Sequence, residues 1–157
     1  MVSSRDYLGG QSHRRLLLRR PIRMPISHVI DRFRQRMFTQ ASGLVTLEDL
    51  NAHLDAEERE RGLDLPELFD ATGVSTNVTP AQIRQLVNRA HAALRKGPLG
   101  PTAIVVTDDV AFGMAQMYAI LTRPLGIVVE VFRDVASAER WLASLTGATA
   151  AHRRDET

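Results

Sequence analysis

Two short runs constrain this chain more than anything else in it. Thr102–Thr107 (TAIVVT) and Ile127–Arg133 (IVVEVFR) are rich in β-branched residues and show little polar alternation. A strand with one wet face alternates, whereas a continuous apolar run suits a parallel strand covered on both faces. The segments around these runs carry helix signals. Thr79-Pro80-Ala81-Gln82 supplies a hydroxyl cap, a proline at the first helical position and a glutamine at the third. Ile83, Leu86, Val87, Ala90 and Leu94 then follow the helical period, and Lys96 and Gly97 end it. Asp108 is placed to cap a helix carrying Val110, Met114, Met117, Tyr118 and Leu121, which Pro124 and Gly126 end. Asp134 caps the last helix, where Val135, Ala138, Trp141, Leu142 and Leu145 face the core; residues after Gly147 read as frayed.

Upstream, Ile26–Phe33 and Arg36–Ser42 read as strands joined by a short link, hence an antiparallel hairpin, with Gly43 ending the second. Thr46 begins a helix with acids in its first turn; Leu47, Leu50 and Leu54 share one face. The charged run Asp55–Arg61 reads as its solvated end and Gly62 as its stop. Glu67–Thr72 reads as a short strand with Leu68 and Phe69 inside. The order β-β-α-β-α-β-α-β-α predicts a single α/β domain over 24–147: a mostly parallel five-stranded sheet with an antiparallel edge hairpin and four helices. At 157 residues and 44% apolar content the chain has room for one core, and with 5% aromatics that core is mainly aliphatic. Cysteine is absent, which excludes disulfides, thiol catalysis and thiolate metal sites.

Charge is unevenly spread. Residues 1–23 hold six arginines against one acid, a net +5, while 24–157 hold 14 basic and 17 acidic side chains, a net −3. The folded part therefore does not read as a nucleic-acid surface. The leading segment reads foremost as a solvated tail, as does 148–157; the alternatives are a natural start at Met24, or a basic arm for anionic lipid or nucleic acid. Leu16–Leu18 is too short for a secretory apolar region, and no run approaches a membrane span. The expected location is cytoplasmic.

No catalytic constellation stands out. Asp70, Asp108, Asp109 and Asp134 fall near the carboxyl ends of strands, where Mg²⁺ is one reading and helix capping the simpler one for Asp108 and Asp134. The five histidines (His13, His28, His53, His91, His152) lack ligand spacing, and His53, with Asp49 and Glu57 four residues either side, reads as part of an exposed charge cluster. No Gly-x-Ser-x-Gly occurs, and Gly97-Pro-Leu-Gly100 lacks the lysine and hydroxyl of a phosphate loop. The expectation is a non-enzymatic protein without metal or cofactor.

Several blocks resemble the SpoIIAA-like, STAS/SEC14-domain family of small, mostly bacterial proteins. They are ASGLVT (41–46), LFDATGV (68–74), AIVVTDDVAFGMAQMY (103–118), VFRD (131–134) and AERWL (138–142), spread over about residues 24–145. The resemblance implies a non-enzymatic domain related to anti-sigma-factor antagonists, which bind partner proteins, and to Sec14-type domains, which bind lipids. The antagonists are switched by phosphorylation in an Asp-Ser-Ser/Thr-Gly setting at the second helix. Here Asn77 takes the aspartate place and Val78 the serine place, a departure that removes the switch serine; Ser75, Thr76 and Thr79 are nearby hydroxyls, Thr79 explained as a cap.

Two functions follow. One is an interaction module that docks a protein partner or a second copy of itself through helix 110–121 (Phe112, Met114, Met117, Tyr118) and loop 73–79 (Ser75, Thr76, Asn77). Methionines with aromatics suit adaptable surfaces, while the stripe Val110, Met114, Met117, Leu121 is expected to pack on the sheet. The alternative is a carrier of a small apolar or lipid-like ligand. It needs a pocket of roughly 300 Å³ or more, lined by Phe112, Met114, Met117 and Tyr118.

Overall fold

A computed structural model of the chain describes residues 24–152; the segments 1–23 and 153–157 lie outside the described residues. Ten elements follow the expected order: β1 (Ile26–Asp31), β2 (Arg36–Val45), α1 (Leu47–Glu60), β3 (Glu67–Thr76), α2 (Pro80–Leu94), β4 (Thr102–Val106), α3 (Asp109–Thr122), a 3₁₀ turn (Arg123–Leu125), β5 (Val129–Phe132) and α4 (Val135–His152).

The five strands form one sheet in sequence order, with β1–β2 antiparallel and the remaining pairs parallel. That order has a consequence. Right-handed crossovers that always step the same way place their helices on the same face. The apolar clusters agree: α2 and α3 pack with α1 residues Leu47, Leu50 and Leu54 on one face, while Leu68, Ala103 and Val105 meet Ala138 and Leu142 of α4 on the other.

Helix starts follow the local chemistry. Thr46 with Asp49 and Thr79 with Gln82 each form a reciprocal capping box. Asp108 accepts from the Ala111 amide at 2.8 Å and Asp134 from the Ser137 amide at 2.8 Å, so two of the strand-end acids are caps. Asp70 holds the Thr72 amide and Asp109 pairs with Arg133 at 2.9 Å.

Strand boundaries differ from expectation. β1 stops at Asp31 rather than Phe33, because its carboxylate accepts the amides of Phe33 and Arg34 and turns the chain, with Gln35 at φ 51°. Gly43 does not end β2: at φ 74° it stays within the strand, which runs on to Val45. β3 likewise continues to Thr76. Gly73–Thr76 pair with Ser42–Val45 after a register shift between Gln40 and Ser42, so the expected loop 73–79 shrinks to Asn77–Thr79. The last helix continues past Gly147 to His152, where a frayed end was expected.

Close approach of the backbone demands glycine at position 100. Its amide donates to Leu63 at 2.8 Å, and a Cβ there would overlap the backbone carbonyl of Leu65. Gly100→Ala is expected to destabilise the domain by about 2–4 kcal/mol. Urea denaturation checks this; an unchanged midpoint would contradict the packing.

Candidate functional site

On the three-helix face the side chains do not close completely. A cavity of about 200 Å³ lies between the sheet and α1, α2 and α3, walled largely by apolar groups such as Val45, Leu54, Phe69, Met114, Ala115 and Tyr118. Its polar residues include His53 and Glu57 from α1 and Glu67 from the first position of β3.

These three are buried: His53 is 7% exposed, Glu57 3% and Glu67 6%. This corrects the sequence reading at His53 and Glu57, while Asp55 and Glu58–Arg61 are exposed as that reading expects. The stripe Leu47–Leu50–Leu54 continues geometrically to position 57, and His53 stands one turn from Leu50. That continuation was the available signal; residue polarity masked it. Glu67 joins from 14 residues away in the chain, a proximity that helix periodicity does not reveal.

His53 Nε2 lies 2.7 Å from Glu57 Oε1 and 3.3 Å from Glu67 Oε1. Only the contact to Glu67 has hydrogen-bond geometry, so Glu57 Oε1 is left without a hydrogen-bond partner despite its proximity. Glu67 accepts from Thr39 Oγ1 at 2.6 Å and from Thr102 Oγ1 at 3.4 Å. Phe69 and His28 stand edge-on to the His53 ring at 5.4 and 5.3 Å, and His28 itself reaches Glu60 at 3.1 Å.

Burial would lower the His53 pKa, but the carboxylates of Glu57 and Glu67 close beside the ring overcome it and raise it from 6.5 to about 9. Burial raises Glu57 from 4.5 to about 7; the Glu67 charge, and a hydrogen bond that only protonated Glu57 donates, act in the same direction, against His53. Burial also pushes against ionised Glu67. His53, Thr39 and the Glu57 hydrogen bond prevail and hold it below its ordinary value. The Tyr118 phenol is raised by burial and by the charges of Glu67 and Glu57.

The expected binding residues divide. Met114, Thr76 and Tyr118 line the cavity. Met117 packs against the α2 cluster of Ile83, Leu86 and Val87. Phe112 lies under the Arg133 guanidinium, 3.7 Å from its ring centre. Ser75 and Asn77 are exposed at the carboxyl edge of the sheet. The structure therefore does not gather the seven onto one surface. Among the described residues the strand-end acids form no metal-ligand group, and no helix is long and apolar enough to cross a membrane.

The architecture is that of a small α/β domain with a SpoIIAA-like fold. The chain matches the crystal structure of an uncharacterised protein from the DUF3478 family of Shewanella loihica PV-4, which has a SpoIIAA-like fold. The TM-score is 0.51 at 17% identity, over 74% of this chain and 93% of that one. No family model and no curated protein matches the sequence.

The cluster makes stability pH-dependent. The folded, metal-free chain keeps the His53 proton up to about pH 9, whereas an ordinary histidine loses it near 6.5. It keeps the Glu57 proton to about pH 7, against 4.5 for an ordinary glutamate. In both windows the folded state binds more protons, so these groups lose stability as pH rises, first between 4.5 and 7 and then between 6.5 and 9. Glu67, held low, acts oppositely and costs stability as pH falls through its folded value. In chelator-treated protein the urea midpoint should decline from mildly acidic to alkaline pH, and Glu57→Gln should flatten the lower window because an amide does not titrate. A midpoint that climbs toward alkaline pH would contradict the assignment.

Proposed function

We propose that this chain is a non-catalytic binding domain that takes a small, largely apolar molecule into the cavity beneath α1–α3. The observation that carries the reading is the cavity itself. Protein interiors are packed to the density of organic crystals and seldom leave voids larger than a water molecule, yet here about 200 Å³ remains between a sheet and three helices. An apolar cavity of about 150 Å³ accommodates benzene, whereas drug-sized ligands occupy roughly 300 Å³ or more. The space suits one ring with a short substituent. It falls below the size set for a carrier, so a long-chain lipid is not the ligand this reading favours. Of the four residues expected to line such a pocket, Met114 and Tyr118 do so, while Phe112 and Met117 are not among its walls.

Toluene is a suitable probe, read by methyl NMR of protein labelled at methionine. The Met114 methyl resonance should move while that of Met117 stays, and Ala115→Leu, which fills the cavity from α3, should abolish the response in a folded protein. Uptake that leaves Met114 unmoved, or that survives Ala115→Leu, would refute the reading.

A second reading, docking of a protein partner or a second copy, is supported by apolar groups left in solvent. Val110 and Ile120 on α3 are 62% and 58% exposed, and Leu44, paired in register with Ser75, is 52% exposed. Because Met117 is packed between helices, a charge there would disturb the fold rather than report on docking. Val110→Glu combined with Leu44→Glu is the informative change: association seen by light scattering should disappear with the fold retained. Association that persists would place the interface elsewhere.

A further inference from the structure

Neutralising the imidazolium of His53 takes one buried acid, and two are present. Glu67 suffices to neutralise the imidazolium, and Thr39 and Thr102 already serve its oxygens. Glu57 adds a second carboxylate to the same point, against the repulsion of Glu67 and the cost of burial. Its Oε1 is, among the described residues, the one buried side-chain polar atom without a hydrogen-bond partner. The Glu57 side chain is 4% exposed, that of His53 5% and that of Glu67 8%. One donor atom from each of the three lies within 4.8 Å of the other two.

We propose that His53, Glu57 and Glu67 form a binding site for a divalent first-row transition ion, with Zn²⁺ as its representative. An imidazole nitrogen with two carboxylates suits such ions, whereas Mg²⁺ and Ca²⁺ prefer oxygen alone and Cu⁺ prefers sulfur, which these side chains lack. The 3.3 Å separation from His53 Nε2 to Glu67 Oε1 matches an edge of a tetrahedral sphere, about 3.3–3.6 Å for bonds near 2.0–2.2 Å, and the 2.7 Å separation to Glu57 Oε1 opens toward that edge by about 0.6 Å when an ion replaces the ring proton.

Positioning supports the same assignment. His53 and Glu57 sit one turn apart on α1, the spacing that turns two side chains to one face. Glu67 opens β3 and is oriented by the Thr39 hydroxyl, the kind of supporting hydrogen bond that ligating carboxylates require. Three protein donors leave a position of a four-coordinate ion for water, or for a ligand atom presented from the cavity. Only that last role rests on the cavity reading; the metal site itself does not.

Titration of chelator-treated protein with Zn²⁺, without any apolar ligand, should show one equivalent bound and a rise in melting temperature. Co²⁺ should give the visible absorption of a low-coordinate complex. Glu57→Gln keeps the volume and a group able to donate to Glu67, and should weaken Zn²⁺ binding by about 10–100-fold or more. Glu60→Gln, on the exposed partner of His28, should leave it unchanged.

X-ray absorption of the Zn²⁺-loaded wild-type protein gives a readout that needs no variant to fold: the metal should have only nitrogen and oxygen neighbours, with one imidazole. Absence of stoichiometric binding, an affinity unchanged by Glu57→Gln but lost in Glu60→Gln, or two imidazoles on the metal would each overturn the proposal. The Met114 response to toluene is measured without metal, so either reading can fail while the other stands.

Discussion

Glu67 enters the sheet as the first residue of β3 with its carboxylate out of water. A charge in that position needs partners, and they come from three neighbours: Thr39 on β2, Thr102 at the start of β4 and His53 on α1. The first two contacts lie within the sheet. The third is different, because it ties a helix to the sheet through charge rather than through apolar contact. Breaking such a buried pair by removing one member leaves an uncompensated charge, which is far costlier than never burying the pair. The polar cluster thus helps determine where α1 rests.

The cavity is the other side of this arrangement. A sheet whose strands run in sequence order sends its crossover helices to one face, and three helices must then share the cover. α2 and α3 pack closely through Ile83, Leu86, Met114 and Met117. α1 approaches with Leu50 and Leu54, but its inward face also carries His53, which is engaged with both Glu57 and Glu67. Between the polar anchor and the apolar helix pair the side chains leave space. On the opposite face α4 covers Leu68, Ala103 and Val105, while Val29 and Phe38 on the edge hairpin stay exposed.

A SpoIIAA-like fold supplies architecture without specifying a ligand. At 17% identity the Shewanella protein informs the path of the backbone and nothing about chemistry. Functional weight rests instead on particular atoms: the Glu57 Oε1 that has no hydrogen bond, the His53 nitrogen beside it, and the methionine and tyrosine of α3 that wall the adjoining space. The apolar, adaptable side chains of α3 that suit a docking surface are used by the fold in separate ways. Met117 fills a helix interface, Phe112 carries an arginine, and Met114 and Tyr118 border the cavity.

What the sequence determined by itself was everything governed by nearest neighbours along the chain. Thr46, Thr79, Asp108 and Asp134 begin helices because a side-chain oxygen two or three residues away satisfies an otherwise free amide. TAIVVT builds an interior strand, and the element order follows. Strand ends were less legible, since β2 and β3 extend one another by pairing, and pairing joins residues about 31 apart. The functional cluster belonged to tertiary structure alone. His53 and Glu57 look like surface charges until the leucine stripe is followed one step further, and nothing local announces that Glu67 will meet them. A polar side chain reads as exposed because solitary burial is prohibitively costly; only the assembled fold supplies the company that makes burial affordable.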